Sequence, residues 1–118
     1  MHNFRRLEVW RDSVELACKI YALTRLFPAE ERFGLAAQMR SAVVSVSSNI
    51  AEGAGRGGTK DMARFLRIAM GSISELDSQL EVAARLHFVE AQPEIADDLR
   101  ALRARILRLH DRVSGARP

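Results

Sequence analysis

Cysteine is nearly missing from this 118-residue chain: Cys18 stands alone. A lone thiol closes no internal disulfide, and a reducing compartment suits it best. Long apolar runs are missing too. No uncharged stretch approaches the ~20 residues that a membrane span needs. Arg5, Arg6, Glu8, Arg11, Asp12 and Glu15 break up the start of the chain before the apolar core of a signal peptide could form. The expectation is a cytoplasmic protein with no membrane association.

Catalytic and metal-binding patterns are equally scarce. A di-metal carboxylate bundle needs Glu-x-x-His pairs facing its core. Position 84, three before His87, is alanine; position 107, three before His110, is leucine; His2 lies in the N-terminal tail. One cysteine offers no metal cluster, so Cys18 is read as a small, part-buried packing residue. No motif suggests a Ser-His-Asp or Cys-His arrangement. We therefore expect no enzyme, no metal and no cofactor. Aromatic residues make up 6% of the chain, with no evident platform for stacking bases.

What is present is ordinary globular material, 47% hydrophobic and 28% charged. A chain this long buries roughly 65% of its unfolded surface, which suffices for one core and one domain spanning residues 1–118. The net charge is +3 and the isoelectric point about 9.7, owed mainly to arginine. Such a balance favours acidic partners, nucleic acid first, although it also serves solubility.

Apolar spacing predicts four helices, over about 7–27, 35–54, 60–87 and 93–113. The last is the clearest, with Ile95, Leu99, Leu102, Ile106, Leu109 and Val113 recurring every three or four residues. Glu94, Asp97 and Asp98 stand near its start. Arg103, Arg105, Arg108 and Arg112 load its later turns, as the helix dipole favours. Pro93 suits its first turn and Gly115 follows its end.

In the first helix Trp10, Val14, Ala17, Tyr21 and Thr24 form one stripe and Leu16, Ile20, Leu23 and Phe27 another, with Pro28 as the stop. The run Val43-Val44-Ser45-Val46 has strand propensity. However, Leu35, Met39, Ala42, Val46, Ile50 and Gly53 keep helical spacing, and a sustained period outranks a short propensity run. One helical turn at Ala29–Arg32 fits the connection before it. In the third helix Met62, Leu66, Ala69, Ile73, Leu76, Leu80, Ala83 and Leu86 form the stripe, with Thr59 as N-cap. Gly71 in its middle implies the close approach of another helix. Four amphipathic helices with short connections predict an all-α, antiparallel up-down-up-down four-helix bundle.

Two constellations remain. Gly53, Gly55 and Gly58 match the dinucleotide fingerprint in letters but follow a helix rather than a strand, so they read as an interhelical turn. The free amides that begin the third helix, flanked by Arg56 and Lys60, could still hold a phosphate. Second, Gln38, Ser45, Asn49, Glu52 and Arg56 form a polar stripe beside the apolar one on helix two, and Ser72, Glu75 and Gln79 do the same on helix three. Either this is a solvated face, or it is a buried or intersubunit network. A network requires Glu52 or Glu75 to pair with an arginine, Arg40 and Arg56 being nearest.

The same residues carry a resemblance. The run from Gln38 to Gly53, with its Ser45-x-x-x-Asn49-Ile50-Ala51-Glu52-Gly53 core, resembles the signature of the rRNA intervening-sequence proteins. Leu7-Glu8-Val9-Trp10, Phe27-Pro28 and the run from Phe65 to Leu76 match it in order; beyond about Phe88 the match is that of a generic amphipathic helix. The resemblance implies a small bacterial four-helix bundle with no established enzymatic activity. Related bundles form homopentameric rings, and a distant relative is the accessory protein of diversity-generating retroelements, which binds nucleic acid and a reverse transcriptase.

The combined expectation is a non-enzymatic homo-oligomer that binds RNA or DNA, mostly electrostatically. Arg56, Lys60, Arg64 and Arg67 are the first candidates for phosphate contacts, and Arg103, Arg105, Arg108 and Arg112 are a second patch. The residues Gln38, Arg40, Ser45, Asn49, Glu52, Ser72 and Glu75 are candidates for a polar network or oligomer interface. The alternative is a protein-interaction scaffold that binds no nucleic acid.

Overall fold

A computed structural model describes residues 3–115; His2 lies outside them. Four helices follow in order: α1 (Glu8–Thr24), α2 (Leu35–Arg56), α3 (Thr59–Arg85) and α4 (Pro93–Ser114). Short 3-10 turns at Phe4–Arg6 and Ala29–Glu31 precede α1 and α2. Each helix packs on two neighbours in a closed square, α1 on α2, α2 on α3, α3 on α4, and α4 back on α1; no diagonal pair comes close.

The neighbours run antiparallel. Gly53 of α2 lies against Met62 and Phe65 of α3, whereas Ser45, earlier in α2, meets Ser72, later in α3. Arg67 reaches His110 while Ser74 meets Arg103. Asp12 pairs with Arg105 while Lys19 pairs with Asp98. The starts of α1 and α3 and the ends of α2 and α4 therefore share one end of the bundle.

Leu16, Ile20, Met39, Val43, Val46, Ile50, Leu66, Ile73, Leu76, Leu99, Leu102 and Ile106 fill the centre. The apolar periods on α2, α3 and α4 point inward as their spacing dictates. On α1 the stripe Leu16, Ile20, Leu23 and Phe27 is buried as spaced, together with Val9, Ser13 and Thr24, whereas Trp10, Val14 and Ala17 of the adjoining stripe are half-buried and Tyr21 is exposed. Buried Ser13 satisfies its hydroxyl by donating to the Trp10 carbonyl at 2.6 Å. Cys18, expected to be part-buried, is exposed. Leu86, expected on the α3 core stripe, is 56% exposed.

Helix ends depart from the apolar periods for local reasons. α1 stops at Thr24 rather than Phe27, and the Thr24 hydroxyl bonds back to the carbonyl of Ile20 at 2.8 Å. Phe27 then turns inward and meets Phe88, their rings 5.5 Å apart. α3 stops at Arg85 because His87 takes φ +61°. The Phe88 amide donates to the Ala83 carbonyl and the His87 amide to the Ala84 carbonyl, both at 3.0 Å. That pair of bonds is a Schellman cap with histidine in the position that glycine usually holds. The N-cap of α3 is Gly58 rather than Thr59, and no side chain caps the first amides.

At Gly53 α2 and α3 approach closely. A Cβ there would stand 3.0 Å from the Phe65 Cβ and 3.3 Å from the Met62 Cα, so a side chain fits only if these neighbours give by a few tenths of an ångström. Gly71 is the reverse: it is exposed and a Cβ would meet nothing within 4 Å, so no helix of this chain accounts for it.

Candidate nucleic-acid interface

Placing the charges on this frame distributes them unevenly, with a net excess of cations in one half and of carboxylates in the other. The Asp12–Arg105 pair lies near mid-height, level with Ser45 and Ser72. Toward the α2–α3 turn lie nine cations, Arg5, Arg6, Arg11, Arg56, Lys60, Arg64, Arg67, Arg108 and Arg112, against four carboxylates, Glu8, Glu52, Asp61 and Asp111. Toward the α3–α4 connection lie seven cations, Lys19, Arg25, Arg32, Arg40, Arg85, Arg100 and Arg103. They face ten carboxylates: Glu15, Glu30, Glu31, Glu75, Asp77, Glu81, Glu90, Glu94, Asp97 and Asp98. The long axis measures 44 Å, several times the ~8 Å screening length at physiological salt. A partner at either end therefore feels chiefly the charge of that end.

The first predicted quartet stays together at the basic end. Arg56 pairs with Glu52 at 3.0 Å and Arg64 lies 3.9 Å from Asp61. Both guanidiniums stack on the Phe65 ring, at 5.2 and 4.5 Å from its centroid. Arg67 bonds His110 at 3.2 Å, and Lys60 makes no ion pair among the described residues. The second quartet is divided. Arg103 donates to Ser74 on the α3 side, at the level of the acidic half. Arg105 turns to the α1 side and is held by Asp12 at 2.6 Å. Only Arg108 and Arg112 extend the basic end. Three cations missing from the predicted set join it, Arg5 and Arg6 from the 3-10 turn before α1 and Arg11 from the first turn of α1. Arg5 is fixed there over the rings of Phe4 and Trp10.

The polar stripes of α2 and α3 meet along one seam. Ser45 and Ser72 share a hydrogen bond at 3.0 Å. The Asn49 side-chain amide donates to the Ser45 carbonyl at 2.7 Å and to its hydroxyl at 2.9 Å. Glu75 accepts from Gln79 at 3.2 Å rather than from an arginine. Glu52 has Arg56 as its partner, but the pair is about half exposed. Arg40 lies on the other side of α2, donating to the Thr24 hydroxyl at 2.8 Å and stacking on Tyr21 at 4.9 Å, so it does not join the stripe. Gln38 is exposed beside it.

Next to this seam is a face that the apolar period did not reveal. Ala37, Ser41, Val44, Ser48 and Gly55 are exposed on α2 at intervals of four, three, four and seven residues, with half-buried Ala51 between the last two. A solvated helix face normally carries charge; this one carries none along its length. The signal is small-residue periodicity, which a search for large apolar residues passes over.

A half-open cleft between α1 and α4, about 140 Å³, is lined by Asp12, Glu15, Lys19, Asp98 and Arg105. It is smaller than the ~300 Å³ of a modest ligand site, and the Asp12–Arg105 and Lys19–Asp98 pairs span it. Their hydrogen bond and the Asp98 charge hold the Lys19 ammonium above the usual lysine range. Among the described residues, no three His, Cys, Asp or Glu side chains are grouped to hold a metal, and no helix is long and apolar enough to cross a membrane.

The description "23S rRNA-intervening sequence protein" matches residues 5–110 of this chain. The chain belongs to that family. The match extends into α4, beyond the segments that carried the resemblance in sequence. A crystal structure of a protein with unknown function from the S23 ribosomal protein family of Bacteroides thetaiotaomicron VPI-5482 is similar to it, with a TM-score of 0.80 and 22% identity. That similarity covers 87% of this chain and 95% of that one. At this identity the likeness speaks for the family's four-helix fold alone. No curated protein matches the chain.

Proposed function

We propose that this protein is a non-enzymatic, cytoplasmic, homo-oligomeric bundle that binds RNA or DNA through its basic end. The observation that carries the reading is the segregation of charge along the 44 Å axis. Nine cations crowd one end, and most belong to exposed arginines with little carboxylate to neutralise them. Arginine suits phosphate because its planar fork donates two hydrogen bonds at once. Such an interface releases counterions as it forms, so its affinity falls steeply with salt, and with few base contacts it discriminates little between sequences.

The homo-oligomeric part draws on α2. Its uncharged face of small side chains lets another helix approach closely, and the adjoining Ser45–Asn49–Ser72 cluster supplies polar groups at the rim. Gly71, which has no intramolecular reason to be glycine, fits the same picture. Light scattering should report a mass well above the 13.2 kDa of one chain. A Ser41→Arg, Ser48→Arg variant should return it to monomer with its helical content intact.

A gel-shift titration with single-stranded RNA and duplex DNA across salt tests the binding. Expected are bands at low salt that fade as salt rises, with similar affinity for unrelated sequences. Absence of binding at low salt would reject the reading. It would favour a protein-interaction scaffold, for which exposed Leu26, Phe33 and Leu86 at the opposite end would be the contact candidates.

A further inference from the structure

A close approach of α2 and α3 at Gly53 fixes an aromatic ring within the basic half of the bundle. Because Gly53 has no Cβ, Phe65 settles into the α2–α3 seam and is 9% exposed. Its ring carries Arg56, from the last turn of α2, and Arg64, from the second turn of α3. Two guanidinium carbons at 5.2 and 4.5 Å from one centroid lie within about 10 Å of each other. Like charges so close repel, and each is met by a carboxylate on its own helix: Glu52 for Arg56 and Asp61 for Arg64. All four charged side chains are about half exposed.

Exposed pairs of this kind hold weakly, while an arginine fork on phosphate oxygens gains bidentate geometry. Stacking keeps each guanidinium plane in place before a ligand arrives, which lowers the ordering cost of binding. Resting on the nucleic-acid reading above, we infer that Arg56 and Arg64 form one phosphodiester clamp, with Phe65 as its positioning residue and Glu52 and Asp61 as internal competitors. In the free protein Glu52 takes one hydrogen bond from Arg56, and Asp61 stands 3.9 Å from Arg64 as a counter-charge without a hydrogen bond. A nucleic-acid backbone displaces them, and the exchange keeps affinity moderate and release easy.

The test joins two measurements on the full-length protein. In the first, arginine Nε–H NMR signals are followed during titration with inorganic pyrophosphate, whose phosphate oxygens offer both guanidiniums bidentate acceptors. The Arg56 and Arg64 signals should move together and saturate. In the second, anisotropy of a labelled single-stranded RNA is compared across variants. Glu52→Gln with Asp61→Asn should bind about threefold to tenfold tighter than wild type, the combined strength of two exposed ion pairs. Glu8→Gln with Asp111→Asn, equal in charge and at the same end, should gain clearly less. Phe65→Leu should weaken binding while leaving the salt slope unchanged, since every charge remains. Arg56→Ala with Arg64→Ala should make the slope shallower by about 1.5. Equal gains from both carboxylate pairs, or arginine signals that ignore pyrophosphate, would overturn the clamp. If RNA binds but the double-alanine slope equals wild type, the clamp fails while the functional reading survives. Pyrophosphate shifts without RNA binding would reject the functional reading, and with it a clamp for phosphodiesters.

Discussion

The two ends of this bundle are built from the same helices and differ in almost everything they offer a partner. At the α2–α3 end the connection is two residues long, Gly57 and Gly58, and the helices close tightly over Gly53. Three of the arginines there lie over buried or half-buried rings, Arg56 and Arg64 over Phe65 and Arg5 over Phe4 and Trp10. At the α3–α4 end the connections run through residues 25–34 and 86–92. Carboxylates outnumber cations there, and Leu26, Phe33 and Leu86 stand 71%, 88% and 56% exposed. A cationic end suits a polyanion; an acidic, apolar end does not. Net charge alone would assign the basicity to the whole surface, and only the fold reveals that it belongs to one end.

The largest expected effect follows from that contrast. Replacing Arg56, Lys60, Arg64 and Arg67 together by alanine should make the log–log salt dependence of RNA binding shallower by about 3 and lower the affinity at low salt at least a hundredfold. Replacing Glu30, Glu31, Glu90 and Glu94 by glutamine should change affinity by no more than about twofold, because those charges lie beyond the screening length. Similar responses from both sets, measured by anisotropy, would erase the distinction between the ends.

Helix packing can be probed with one type of substitution at two sites. Gly53→Ala should destabilise the protein by about 1–3 kcal/mol, since its Cβ meets Phe65 and the backbone of Met62. Gly71→Ala should raise intrinsic helix stability by about 1 kcal/mol, having open space around it. Urea unfolding of dilute protein would give both, and equal signs would contradict the account. At the acidic end, His87→Gly should stabilise by about 1 kcal/mol by relieving a left-handed residue in the α3 cap, read from the same unfolding curves.

The smallest effect concerns pH. Lys19 is raised above 10.5 by Asp98, so its contribution to stability is complete below that value and lost as pH rises through the raised one. The difference in melting temperature between wild type and Asp98→Asn should therefore be small at pH 8 and vanish above the raised value. A difference that grows with alkalinity would show the sign to be wrong.

Much of the fold is legible in the sequence because helical periods are long and strongly repeated. Leu99, Leu102 and Ile106 declare their buried face, and the β-branched run Val43–Val46 yields to the longer period around it. The ends of α1 and α3 are not legible in the same way. The first tightens into i→i−3 bonds at Leu26 and Phe27 before Pro28, and the second ends at a left-handed His87, neither of which apolar spacing encodes. The candidate site divides along the same line. Arg56, Lys60, Arg64 and Arg67 are adjacent in sequence across a short turn, so proximity could be inferred. Arg103 and Arg105 are two positions apart on α4, and a helix turns about 200° over that distance, which sends them to opposite seams. The uncharged face of α2 escapes a reading by apolar period because it is defined by small residues.

The central claim is that binding resides in one end of the bundle, and the slope of log affinity against log salt tests it most directly. Wild-type protein titrated into single-stranded RNA between about 50 and 200 mM salt should give a straight line, steep enough to report several phosphate contacts. The Arg56, Lys60, Arg64 and Arg67 alanine variant should lose most of that steepness, and the glutamine variant of the acidic end should keep it. A flat wild-type line, or a slope that survives removal of the basic quartet, would contradict the account.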